Sequence, residues 1–289
     1  MVTKLSLGEW HMIAGPRATE LMLSPIGVCI YCARSQADGV ILEDEHIVPD
    51  GIGGDLILPK ASCRTCAEKI NLWEQEVQKR YLGVTRDAAG VKSRKRRGRN
   101  AESRRRYRAV AASVPEGGDP REERGPQITD PSDLPRMILV ETTKGPPELL
   151  GGKIPGNGIC LATAWDMAHG PTECTVDFWA RGGDFLRLLA KISHGFAVAT
   201  LGVGGFSPFL TDIILMHDHK PDDLWKFIGQ TSLQSGTFLH RIRVVPEVVA
   251  IPSEGGLEVS FKQVIVADLQ LFANFSAPRY AVVVGTLKR

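Results

Sequence analysis

Hydrophobic positions change their period along this chain, and the changes predict its elements. Over residues 67–82, Ile70, Trp73, Val77 and Tyr81 recur at three- and four-residue spacing, while Glu68, Lys69, Glu74, Gln75 and Lys79 occupy the other faces. That spacing predicts an amphipathic helix. Upstream, the short apolar runs Val28 to Tyr31 and Gly39 to Leu42 flank the turn sequence Gln36-Ala37-Asp38-Gly39, which predicts a hairpin. Residues 25–82 therefore read strand, strand, helix.

The C-terminal half has a different texture. Met137 to Glu141 reads as a strand. Residues 183–199 read as a helix with Phe185, Leu188, Leu189, Ile192 and Phe196 on one face. Alternating or β-branched runs follow at 238–245, 257–261, 264–272 and 280–287, so this half predicts an α+β domain. The long uncharged stretch 192–211 is interrupted by Gly195, Gly202, Gly204, Gly205 and Pro208, which fits a buried helix and loop rather than a membrane span.

Composition sharpens the boundaries. The 289 residues suffice for about two domains. Between the patterned halves, residues 83–135 collect Pro115, Gly117, Gly118, Pro120, Gly125, Pro126, Pro131 and Pro135, the signature of a linker. The expected order is an N-terminal extension (1–24), a compact module (25–82), a basic linker (83–135) and a separate α+β C-terminal domain (136–289).

Charge is distributed just as unevenly. The formal net charge is +2, yet residues 92–108 hold ten basic residues against the single acid Glu102. They are Lys92, Arg94, Lys95, Arg96, Arg97, Arg99, Arg104, Arg105, Arg106 and Arg108. Neutralising several phosphates with such a run gives salt-sensitive, sequence-independent affinity, so a nucleic acid, DNA before RNA, is the expected partner. No membrane partner is expected, and nothing in the chain identifies a protein partner. The first 23 residues lack the apolar core of a secretory signal, which predicts a cytoplasmic protein with reduced thiols.

In that setting the cysteine spacing points to metal. Cys29-Ile30-Tyr31-Cys32 and Cys63-Arg64-Thr65-Cys66 are two CxxC pairs, and four thiolates close a tetrahedral structural Zn²⁺ site. Between them lie Glu45-His46-Ile47-Val48-Pro49 and the pair Gly53-Gly54. A structural zinc has no use for a carboxylate beside an imidazole, but phosphodiester hydrolysis does. A neutral imidazole can deprotonate water near neutral pH, and a carboxylate can help hold Mg²⁺ or Mn²⁺ against the phosphate.

The same residues, 29 to about 80, resemble the HNH endonuclease family. The resemblance implies a ββα-metal fold, His46 as general base and Glu45 as a ligand of the catalytic Mg²⁺ or Mn²⁺ ion. Asp55 and Asn71 are further candidate ligands. The family commonly places His or Asn directly after the second CxxC; this chain has Ala67. That departure keeps two alternatives open: a zinc-dependent nucleic-acid-binding module without cleavage, and a protein-interaction scaffold. His194 reads as a core histidine, His217-Asp218-His219 as a polar loop, and Cys160 and Cys174 as small buried residues.

Overall fold

A computed structural model describes residues 5–16, 18–82, 86, 89–91, 139–141, 160–162, 179–216, 227–233, 236–252, 259–275 and 277–288. The basic run, most of the predicted linker, Cys174 and His217-Asp218-His219 lie outside them.

The described chain is mixed α+β. Its strands are β1 (His11–Ile13), β2 (Leu21–Met22), β3 (Leu42–His46), β4 (Leu56–Cys63), β5 (Leu139–Glu141), β6 (Cys160–Ala162), β7 (Phe206–Pro208), β8 (Ile228–Leu233), β9 (His240–Pro252), β10 (Val259–Leu271) and β11 (Pro278–Leu287). The helices are α1 (Arg64–Glu76), continued by a π turn over Val77–Tyr81, then α2 (Trp179–Leu201) and α3 (Thr211–Ile214).

Three strands make the small sheet β2-β4-β3, with β2 parallel and β3 antiparallel to β4. Strand β4 runs directly into α1, because Cys63 is extended and the residues after it are helical. Leu42 pairs with Cys63 and His46 with Ile57, so the hairpin stretches from the cysteines at one end to His46 at the other. The pairing shifts register between Glu43 and Glu45. There the Lys60 N–H donates to the Asp44 carboxylate over 3.2 Å, and Lys60 takes a left-handed φ of 50°. A carboxylate that satisfies the bulge's orphan amide explains how an acid-rich segment such as Leu-Glu-Asp-Glu-His serves as a strand.

The predicted hairpin over 28–42 is corrected. Only an isolated bridge, Val28 to Ser35, forms there, and Cys29 to Arg34 is instead a tight knuckle. The Cys29 carbonyl accepts from the Ala33 N–H, and the Arg34 carbonyl accepts from the Cys29 N–H. The predicted N-terminal extension is not free, because among its described residues β1 and β2 each join a sheet.

The large antiparallel sheet runs β1-β9-β10-β11-β7, with β8 also on β11. Strand β9 alternates as a half-covered strand should: His240, Ile242 and Val244 are buried, and Arg241 and Arg243 face outward beside the Trp10 ring. The two predicted runs at 257–261 and 264–272 are one strand, β10, and the predicted helix at 183–199 is α2 with slightly wider bounds.

The sequence predicts a separate C-terminal domain, but among the described residues one hydrophobic core runs through both halves. It joins Ile47, Leu58 and Trp73 to Leu188, Ile192 and Phe196 of α2 and to Ile242 and Leu269 of the large sheet. Each such side chain contributes about 1.5–3 kcal/mol on burial, and a shared core makes those contributions mutual. No helix among the described residues is long and apolar enough to cross a membrane.

Candidate metal centre and the Glu45–His46 turn

The four cysteine sulfurs converge because the knuckle at 29–34 and the β4–α1 junction each present a CxxC pair to the same point. The four Sγ atoms lie within 4.8 Å of one another. Cys32 and Cys63 are 3.7 Å apart, and a zinc–sulfur tetrahedron with bonds of about 2.3 Å has edges of about 3.8 Å. The donor set is therefore the right chemistry at the right size for one structural Zn²⁺.

The sulfurs also act strongly on one another. Hydrogen bonding from the Cys66 thiol pulls Cys29 far below the ordinary thiol range, to about 4, and pushes Cys66 up. Burial pushes Cys63 up as well. Arg34 supplies cationic donors from outside, Nε at 3.4 Å from Cys32 and a terminal nitrogen at 3.8 Å from Cys63. A tetrathiolate zinc carries two net negative charges, and an arginine against two of its sulfurs offsets part of that field.

At the other end of the hairpin, His46 closes β3 and is half-buried, with its Nδ1 buried and without a hydrogen-bond partner among the described residues. The loop behind it is tightly made. Ile47, Val48 and Pro49 are buried, a 3₁₀ turn covers Asp50–Ile52, and Gly53 takes a left-handed φ of 92°. The Gly54 Cα lies so close to the Val48 carbonyl that no side chain fits there. His240 then ties this loop to the large sheet. Its Nε2 donates to the Ile52 carbonyl over 2.8 Å and its Nδ1 accepts from the Phe272 N–H over 3.0 Å.

Glu45 is buried, and its carboxylate meets the Lys191 ammonium at 2.8 Å. Lys191 comes from α2, and it also meets Glu74 of α1 at 3.0 Å and the His46 carbonyl at 2.8 Å. Burial disfavours the lysine's charge, but Glu45 and Glu74 outweigh it and hold the ammonium above its ordinary pKa. Burial pushes Glu74 up, with Lys191 opposing and the Glu45 charge adding to the rise. Tyr31, whose ring lies 5.8 Å from that of His194, is held well above the ordinary phenol value by burial and then by Glu45 and Glu74.

The other sequence candidates lie apart from one another. Asp55 is buried and paired with His11 at 3.0 Å. Asn71 is on the exposed face of α1 and accepts from Gln75 at 2.7 Å. Asp55 and Asn71 each bond to a partner other than Glu45. Among the described residues, the four cysteines are the only group of three or more acid, cysteine or histidine side chains placed to share an ion. Of the other histidines, His194 is a core residue as expected, its Nε2 donating to the Ile30 carbonyl over 2.8 Å.

Sequence reasoning missed Lys191, Glu74 and Arg34. Lys191 left a signal: Arg187, Lys191 and His194 interrupt an otherwise apolar run at four- and three-residue spacing, a polar stripe along one side of a buried helix. Glu74 reads from the sequence as an outward-facing position of α1, because nothing local shows that another helix will cover it. No family model, no curated protein and no solved structure matches the chain.

Proposed function

We propose that the chain is a zinc-stapled endonuclease of the HNH type that hydrolyses phosphodiester bonds of nucleic acid, with His46 as general base. The observation that carries this reading is the placement of His46. A half-buried imidazole sits at the end of β3, in a hairpin that leads through the cysteine centre into a helix. Structural zinc would be held by Cys29, Cys32, Cys63 and Cys66, and it would fix the hairpin against α1. In the reaction His46 takes a proton from the attacking water, the water oxygen bonds to phosphorus as the bond to the 3′-oxygen breaks, and that oxygen takes a proton from solvent to leave as a hydroxyl. A divalent Mg²⁺ or Mn²⁺ would supply charge neutralisation at the phosphate. Such ions are usually held by one or two carboxylates together with substrate phosphates, so the ion would be recruited with the nucleic acid. Glu45 remains the proposed protein ligand, and the basic residues 92–108 the proposed contact with the nucleic-acid backbone. A cytoplasmic location belongs to the same reading.

A second reading is favoured by Ala67 and by the engagement of Glu45 with Lys191: a zinc-dependent nucleic-acid-binding module without cleavage. Nicking of supercoiled plasmid separates the two. Zinc-loaded protein with Mg²⁺ or Mn²⁺ is expected to nick, EDTA to abolish nicking, and His46→Ala to abolish it at unchanged zinc content. Zinc-loaded protein that shifts DNA in a gel and never nicks it would establish the binding module instead.

A further inference from the structure

Lys191 is 145 residues from His46 along the chain, yet its ammonium touches the main chain of that residue. An ammonium has three N–H donors and no acceptor. Here each donor has an acceptor: the Glu45 carboxylate at 2.8 Å, the Glu74 carboxylate at 3.0 Å and the His46 carbonyl at 2.8 Å. Its side chain is 2% exposed, so the ammonium itself does not reach a substrate. A lysine is buried this deeply only where its charge is compensated and its donors are filled. The three acceptors come from β3 and α1, and the donor comes from α2. Lys191 is therefore the point at which the C-terminal helix grips the turn that bears His46. Gly195, one turn further along α2, lies 3.6 Å from Ile47 measured from its Cβ position, so the grip continues over the residue after His46.

We propose that Lys191 is a positioning residue of the His46 site, holding the Glu45–His46 backbone and the Glu74 carboxylate in their working arrangement. This rests on the nuclease reading above. It assigns a role in that reaction to the C-terminal half, which supplies the cation that shapes the site without touching substrate. Misplacement of a reacting group by about 1 Å costs roughly 100-fold in rate, and that is the expected size of the effect.

The test compares full-length wild type with Lys191→Met, whose unbranched side chain fills a similar space without charge. Zinc content, melting temperature, affinity for a duplex in Ca²⁺ and single-turnover cleavage are measured on both. The expected result is kcat lower by roughly 100-fold with zinc content and duplex affinity unchanged, a split that a merely stabilising residue would not give. Unchanged kcat in folded, zinc-loaded Lys191→Met overturns the proposal alone. Wild type that holds zinc and cleaves nothing overturns the nuclease reading, and this inference with it. If Lys191→Met does not fold, the double variant Lys191→Met/Glu74→Met, which removes the ammonium with one of its carboxylates, is compared with Glu74→Met alone. A further drop in kcat supports positioning. An equal kcat, or loss of zinc in the double variant, overturns it, because the lysine then serves stability only.

Discussion

Zinc and the proton compete for the same thiolates, and burial disfavours the charged form of an imidazole, so single residues here respond sharply to chemistry. Replacing Cys63 by Ser removes one of four ligands from a site whose metal-binding free energy is on the order of 10 kcal/mol, comparable to the whole stability of a domain. Cys63→Ser is expected to lose stoichiometric zinc and cooperative melting together, read by metal analysis and circular dichroism. His240 acts through pH. Burial, opposed by its bond to the Ile52 carbonyl, depresses its pKa to about 4, against about 6.5 in an unfolded chain. The unfolded state therefore binds the extra proton first. The stability contributed by neutral His240 is complete above pH 6.5 and is lost as pH falls towards 4, about 2 kcal/mol of it by pH 5. Denaturant titrations at pH 7.5 and 5 should show that slope in wild type. His240→Gln keeps one donor and one acceptor and does not titrate, so its slope should be shallower by about that amount.

Elements in this chain are set by how closely their backbones approach, and two glycines predict opposite outcomes. A Cβ at Gly54 would collide with the Val48 carbonyl, which is backbone and cannot swing aside. Gly54→Ala is expected to cost about 1–3 kcal/mol and to disturb the loop behind His46, visible as a lower melting temperature. Gly195 lies inside α2, where a Cβ would meet Ile47 at 3.6 Å, an ordinary contact. Gly195→Ala should be neutral or stabilising, by up to about 1 kcal/mol, through helix propensity. The same element scale decides what could be read in advance. Helix α1 and helix α2 announced themselves through apolar spacing, as did β9, β10 and β11 through β-branched runs. Strands β3 and β4 did not. Leu-Glu-Asp-Glu-His has no alternation, and Pro59 interrupts the apolar run of β4. What makes them a hairpin is the bulge at Asp44 and Lys60, a device with no local pattern. The cysteine centre was legible because two CxxC spacings are chemistry and geometry at once.

For the whole molecule, the decisive fact is that the two halves share a core. Glu45, Glu74 and the His46 carbonyl converge on a lysine more than a hundred residues away, and the Ile52 carbonyl is bonded by a histidine of β9. Pairings of that sequence separation have no signature in either segment, which is why the sequence predicts two separate domains. Detached from α2 and β9, residues 1–91 would expose Ile47, Ile52 and Trp73, all buried in the full chain. That fragment is expected to bind zinc at the cysteines but to melt without cooperativity, checked by calorimetry against the full chain. The central claim is hydrolysis directed by His46, and product analysis tests it most directly. Full-length, zinc-loaded protein is incubated with end-labelled duplex and Mg²⁺ or Mn²⁺, beside His46→Ala of equal zinc content. Wild type is expected to give products with 3′-hydroxyl and 5′-phosphate ends, and His46→Ala none. Equal cleavage by the two proteins, or no cleavage by either, would contradict it.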